Sequence, residues 1–295
     1  PNNWSIIEEG FEADRVKSSE SLFSIGNGAM GQRANFEESY SGKTFQGSYI
    51  AGVYYPDKTR VGWWKNGYPE YFAKVLNAPN WIGIDVEING ENIDLANGKT
   101  VKNFRRELNM KEGWYNRSFE ITMQNGIEVA INVMRFLSLD IDELGAIQYE
   151  VTPLNSDAKV TFKPYLDSGI ENEDTNWEEQ FWETLEIKNQ DNQAYIVSRT
   201  LKTKFTVSTF MHNAVLVNQI NSNIKPVEVK KAAPKKAAKK AVAKKAAKKA
   251  APKKAAKKPA KKAAKKAAKA PAAPAPAATA LNPQAAWPFP SAAKP

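Results

Sequence analysis

The sequence predicts an all-β domain, a large antiparallel two-sheet sandwich over residues 1–220, followed by a disordered Lys/Ala/Pro tail over residues 221–295. Three observations predict it. Apolar and polar residues alternate through much of the first part. Asn-Gly dipeptides punctuate that alternation. Aromatic and acidic residues then nearly cease where lysine repeats begin.

The alternation is clearest in two places. Ile82, Ile84, Val86 and Ile88 alternate with Gly83, Asp85, Glu87 and Asn89 before Asn89-Gly90, which reads as a half-buried strand entering a hairpin. Phe119, Ile121 and Met123 lead to Asn125-Gly126, after which Ile127, Val129, Ile131 and Val133 continue on odd positions. Period-two patterning of this kind gives each strand one apolar face. Further Asn-Gly pairs stand at 27–28, 66–67 and 97–98, and this dipeptide tolerates the positive φ angles of two-residue hairpin turns. Ile147–Tyr149–Val151 and Phe205–Val207–Thr209–Met211 alternate in the same way. No stretch before residue 220 sustains helical periodicity over three turns, and only Trp177–Trp182 reads as a short helix.

Charge divides the chain where the patterning does. Residues 225–295 hold 21 lysines against the single acid Glu228, a surplus of 20 positive charges. The first 224 residues hold 21 basic against 31 acidic residues, a net charge of −10, although the whole chain is +10. Every tyrosine, and every tryptophan but Trp287, precedes residue 225, so only the first part can build a core. The junction is expected between Asn218 and Lys230. Cysteine is absent, which removes disulfides, thiolate metal sites and thiol nucleophiles. With neither a signal-peptide pattern at the start nor a long apolar run, the sequence gives no membrane partner, and the expected location is cytoplasmic.

Several motifs invite chemistry. Gly26-Asn27-Gly28-Ala29-Met30-Gly31 satisfies the dinucleotide fingerprint, but the polar, glycine-interrupted stretch after it lacks the apolar-faced helix that such a site needs. Carboxylates suited to glycoside chemistry occur as Glu37 with Glu38, as Glu171 with Glu173 and Asp174, and as Glu178 with Glu179, and each set reads as solvated surface acids. His212 is the only histidine, which excludes a multi-histidine metal site and reads as structural. No catalytic residue, metal ligand or cofactor is assigned. Trp63, Trp64, Tyr68, Tyr71 and Trp81, with Phe72, form an aromatic run broken by glycine and proline. Flat rings with polar tips suit the C–H faces of sugars, so these are the carbohydrate-adjacent candidates, with loop packing as the alternative.

Glu20-Ser21-Leu22-Phe23-Ser24-Ile25-Gly26-Asn27-Gly28-Ala29-Met30-Gly31-Gln32-Arg33, continued by Phe36-Glu37-Glu38, resembles the opening of glycoside hydrolase family 65. That family includes maltose, trehalose and kojibiose phosphorylases, and the likeness is greatest to the maltose phosphorylases. Gly47–Tyr54, Asn77–Trp81 and Lys163–Asn172 extend the resemblance in the right order over residues 1–220. It implies a sandwich of the super-sandwich type, with the glycine run as a tight turn. It also implies that the family's general-acid glutamate and phosphate-binding residues belong to an (α/α) barrel following the sandwich. Nothing in the chain matches that barrel. The expectation is a truncated, inactive relative of an enzyme that phosphorolyses an α-linked glucose disaccharide with inversion, joined to a foreign tail.

The tail carries its lysines in adjacent pairs. They are Lys235 and Lys236, Lys239 and Lys240, Lys244 and Lys245, then Lys248 and Lys249, Lys253 and Lys254. The series continues with Lys257 and Lys258, Lys261 and Lys262, Lys265 and Lys266, and the single Lys269. Steps of four and five residues spread lysines around a helix, so no apolar face forms, and Pro234, Pro252 and Pro259 oppose helix outright. The composition and the ending Thr279–Pro290 resemble bacterial linker-histone-like nucleoid proteins. The resemblance implies a bacterial, nucleoid-associated chain whose tail lysines bind DNA or another polyanion. The tail contains no arginine, which leaves sequence-specific reading unsupported. The competing reading is a nucleoid-associated DNA-binding protein whose β-domain binds a sugar or another protein.

Overall fold

A computed structural model describes residues 3–59, 67, 69–172, 180–218 and 220–221. All of them lie in the first of two units, Pro1–Lys236; the second, Ala237–Pro295, holds most of the lysine repeats and lies outside the described residues.

The described chain is built of antiparallel strands, as the alternation predicts. They run in order as β1 (Ser5–Glu9), β2 (Ile25–Gly26), β3 (Met30–Gln32), β4 (Ser48–Ile50), β5 (Tyr54–Lys58), β6 (Tyr71–Val75), β7 (Ile84–Ile88) and β8 (Glu91–Asn92). The long central strands are β9 (Thr100–Asn109), β10 (Trp114–Thr122), β11 (Glu128–Leu137) and β12 (Gly145–Pro153). Then come β13 (Val160–Pro164), β14 (Trp182–Gln190), β15 (Gln193–Thr200), β16 (Thr206–His212), β17 (Leu216–Val217) and β18 (Ile220–Asn221). Hydrogen bonding joins them as β1-β9-β10-β11-β12, β13-β7-β8, β14-β15-β16, β2-β3-β4, β5-β6 and β17-β18.

The sandwich lies between the first two of these sheets. The odd positions of β10 and β11 point inward, so Phe119, Ile121, Val129, Ile131 and Val133 meet Val86 and Ile88 of β7, with Val160 and Phe162 of β13 packed beside them. Each fully buried branched or aromatic side chain contributes about 1.5–3 kcal/mol of transfer free energy. A second cluster, Phe23, Ile25, Ala34, Tyr115 and Leu137, closes one end. A third, Tyr55, Leu76, Ile170, Phe181 and Trp182, joins β5 and β6 to β14.

Asn89-Gly90 makes the expected turn between β7 and β8, with both residues at positive φ (53° and 86°). Asn97-Gly98 does not make a hairpin. Asn97 N–H and Gly98 N–H both donate to the Asp94 carbonyl, and Gly98 lies so close to Ile121 that a Cβ would stand 2.7 Å from its Cδ1. There the glycine serves close packing instead of left-handed backbone. The sequence pattern also misses a helix. Ala13–Arg15 forms a 3-10 turn that runs into α1 (Val16–Leu22), whose seven residues bury Val16, Ser19 and Glu20. Two turns are too short for a periodic signal, and tertiary contacts hold them. In the opposite sense Trp182 begins a strand, while the rest of the predicted helix 177–182 falls largely outside the described residues.

Candidate functional site

The sequence places Glu37 and Glu38 among solvated acids, and the structure corrects this. Both side chains are fully buried, as are those of Arg117 and Arg135. Arg117 grips Glu38 with both terminal nitrogens at 2.6 Å, and its Nη2 also donates to Glu37 Oε2 at 2.8 Å. Arg135 Nη1 donates to Glu37 Oε1 at 2.8 Å, and its Nη2 to the Arg33 carbonyl at 3.2 Å. Tyr149 donates its hydroxyl to Glu38 Oε2 at 3.3 Å. The guanidinium of Arg117 lies between Phe36 at 4.7 Å and Phe119 at 5.2 Å, so flat cations fill space in the core as rings would.

Register brings these charges together. Arg106 of β9 faces Arg117 of β10, and Arg135 of β11 faces Tyr115, so three arginines stand on the inner face of one sheet. The loop 33–38 lies against that face and lowers two carboxylates between them. Arg106 is held more loosely: its Nε lies 3.8 Å from Glu8, and its guanidinium stacks on Phe36 and Phe104. Burial alone would push the Arg117 guanidinium down; Glu38 and Glu37 outweigh it and hold the group well above its usual value. All four carboxylate oxygens of the pair are held by guanidinium nitrogens, so the pair ties the loop to the sheet.

Burial has a second electrostatic effect, on tyrosines. Burial, followed by the Glu38 charge, lifts Tyr149 well above its ordinary value; burial lifts Tyr115, and burial with Asp85 and Asp167 pushes Tyr165 up to about 12. A folded-state value raised above the unfolded one stabilises fully below the unfolded value near 10. That contribution is lost as pH rises through the folded value. Phenolate absorbance followed against pH should therefore show these three rings ionising together with loss of the β-sheet signal, above pH 10. Ionisation near 10 in the still-folded protein would contradict the burial argument.

The four stretches that carry the family resemblance interlock. In the glycine run, Asn27 N–H donates to the Met30 carbonyl and closes a β2–β3 hairpin. The Asn27 amide reaches the carbonyls of Ser138 at 2.7 Å and Asp142 at 2.9 Å. Gly28 there has φ of 94°, the tight turn that the resemblance implied rather than a nucleotide loop. Gln32 Nε2 donates to the Gly47 carbonyl, and Ser48 Oγ donates to Gln32 Oε1. Asn77 ties three segments together: its N–H donates to Asn172 Oδ1, and its amide donates to the Gln46 and Glu171 carbonyls. Trp182 Nε1 returns a bond to the Asn77 carbonyl at 2.7 Å, and Asn80 bridges Asp167 by two backbone bonds. These amides substitute for a strand ladder where no strand continues.

The aromatic candidates separate. Tyr71 stands exposed on β6 beside Phe72, facing Lys58 across the β5–β6 ribbon. Trp81 is half-buried against the second cluster, its ring packed over Gly145. Trp63, Trp64 and Tyr68 lie outside the described residues, as do Glu173, Asp174, Glu178 and Glu179. The DNA-binding candidates lie outside them too: Lys235, Lys236, Lys239, Lys240, Lys244, Lys245, Lys248, Lys249, Lys253, Lys254, Lys257, Lys258, Lys261, Lys262, Lys265, Lys266 and Lys269. His212 is exposed at the end of β16, its Nε2 2.9 Å from the Asn192 amide. Among the described residues no cluster of three or more His, Cys, Asp or Glu could hold a metal, and no helix is long and apolar enough to cross a membrane. Two of the three buried arginines carry a signal in the sequence, since Arg117 and Arg135 share the odd positions of their inward-facing neighbours.

The profile of the glycosyl hydrolase family 65 N-terminal domain matches residues 6–279. Maltose phosphorylase of Bacillus subtilis (strain 168) is 47% identical over 219 residues, covering 74% of this chain and 28% of its own length. The α,α-trehalose phosphorylase of Thermoanaerobacter brockii is 29% identical over 231 residues, covering 73% and 29%. A solved structure, a putative kojibiose phosphorylase from the human microbiome, superposes with a TM-score of 0.61 at 27% identity, over 71% of this chain and 27% of that one. The chain thus spans under a third of the length of these relatives. The profile match, the shared fold and the interlocking of the four motif stretches place the chain in glycosyl hydrolase family 65, through that family's N-terminal domain.

Proposed function

We propose that residues 1–220 are the non-catalytic β-domain of an enzyme resembling maltose phosphorylase, whose reaction is phosphorolysis of an α-linked glucose disaccharide with inversion. The 47% identity to maltose phosphorylase carries this reading, against 29% to the trehalose enzyme. Of the three acid sets that the sequence offers for glycoside chemistry, Glu37 and Glu38 are consumed by Arg117 and Arg135. The domain's part is therefore to present a rigid scaffold, with the exposed β5–β6 ribbon and Tyr71 as the surface that would border a sugar. The chain as it stands should release no sugar phosphate from maltose, trehalose or kojibiose with inorganic phosphate. Measurable β-glucose 1-phosphate would overturn the assignment of a non-catalytic role.

For the tail the composition favours a second activity. A surplus of 20 positive charges over residues 225–295 suits polyanion binding through the lysine pairs, from Lys235 and Lys236 to Lys265 and Lys266. In this reading the chain is a nucleoid-associated DNA-binding protein, and the β-domain binds a sugar or another protein.

A further inference from the structure

The outer face of the five-stranded sheet carries a trough of about 260 Å³, away from both the buried ion network and the β5–β6 ribbon. Its origin is local. The β9–β10 ladder slips by one residue between Ser118 and Glu120, and Asn103 sits in the bulge with φ of 52°. A bulge bends its strand and re-aims the side chain it carries. Asn103 thereby turns its amide to Glu120 Oε1 at 2.9 Å, forming one wall. The floor is low because Ala130, directly opposite Glu120, is a methyl among longer neighbours. Across it Asn132 pairs with Glu150, donating to Oε2 at 3.0 Å, and Gln148 holds Oε1 at 2.6 Å; Thr152 flanks Ala130.

The lining selects a chemistry. Its carboxylates are fixed by amides; Lys102 stands opposite Glu120 in the β9–β10 register without an ion pair to it, and Arg105, opposite Ser118, is taken up by Glu107. Each carboxylate keeps free lone pairs, and each amide a second N–H. A ligand satisfying both must donate and accept at neighbouring points. Hydroxyl groups do so; a phosphate only accepts, and two carboxylates repel it. An ammonium only donates and offers no acceptor to the free amide hydrogens. We infer that this trough is a binding site for a neutral, hydroxyl-rich ligand, a short saccharide lying across strands β10 to β12. The site does not depend on the reading of the chain as part of a phosphorylase.

The test is a titration of the full chain with maltotriose, read by amide chemical shifts. Binding is expected with a dissociation constant on the order of 1 mM, since an open polar site gains little beyond the cost of ordering its ligand. Shifts should centre on residues 118–132 and 148–152. Ala130→Leu, which fills the floor, and Glu150→Gln, which removes one charge from an exposed face, should each weaken binding at least tenfold with an unchanged circular dichroism spectrum. Tyr71→Ala should leave binding intact. Glucose 1-phosphate should bind at least tenfold more weakly. No binding, equal affinity in both trough variants, loss with Tyr71→Ala alone, or spermidine competing for the same residues would each overturn the site. A failure of phosphorolysis has no bearing on any of these outcomes.

Discussion

Glu37→Gln should cost the domain about 3–5 kcal/mol, the penalty for leaving a buried cation without its partner. Two carboxylates, Glu37 and Glu38, balance two guanidiniums, Arg117 and Arg135, in a layer with no exposed side-chain surface. The substitution preserves shape and one hydrogen bond but leaves one positive charge uncompensated. For a domain of this size the melting temperature should fall by roughly 10 °C or more. Glu87→Gln on the surface, which removes a partner from the half-exposed Lys163, is the contrast and should cost under about 1 kcal/mol. Thermal denaturation of both variants checks the ranking. Equal stability of Glu37→Gln and the parent would mean that water enters the layer and screens the charge. Replacing Glu37 and Arg135 together by apolar residues should restore part of the loss, because the cost lies in the unpaired charge more than in the pair.

Deletion of residues 225–295 should abolish DNA binding. The remaining domain carries a net charge of −10 over the first 224 residues and repels a polyanion. For the full chain, affinity should be independent of DNA sequence and fall steeply with salt. Log K should decline by about 0.9 per phosphate contacted for each log unit of salt, so roughly six to ten contacts imply a loss of about 10³–10⁵ between about 50 and 200 mM. Replacing Lys253, Lys254, Lys257 and Lys258 by glutamine should lower the slope without changing sequence preference. Binding retained after the deletion would place recognition in the β-domain, and a flat salt dependence would remove the counterion-release account altogether.

Much of the architecture is written in period-two alternation. Phe119 to Val133 name the inner face of β10 and β11, and Asn89-Gly90 names a hairpin, because strand polarity and left-handed turns are local properties of a few residues. Three features are not legible in that way. The helix Val16–Leu22 has too few turns for a pattern, and it is held by contacts such as the buried Glu20 carboxylate accepting from Phe45 N–H. The Asn97-Gly98 pair has hairpin chemistry but serves close packing against Ile121, which belongs to another strand. The acids at 37 and 38 look solvated because charged pairs usually are, and only cross-strand register reveals the arginines above them.

By itself, then, the sequence determined that the chain changes character near residue 220, that its first part is an antiparallel β-domain, and that four separated stretches share the pattern of one enzyme family. Composition, periodicity and motif order are carried by neighbours in the chain and need no coordinates. Only the tertiary structure decided what those stretches do together. Glu37 and Glu38 become structural ions because Arg117 and Arg135, about 80 and 100 positions away, share one face of one sheet. Asn77 and Asn172 become a substitute for strand pairing because two loops meet there. Trp81 turns from a candidate platform into packing over Gly145, and the outer trough exists only because a bulge turns Asn103 toward Glu120. In each case the deciding interaction lies across the fold, where burial and register, not residue type, set whether a charge or a ring meets water.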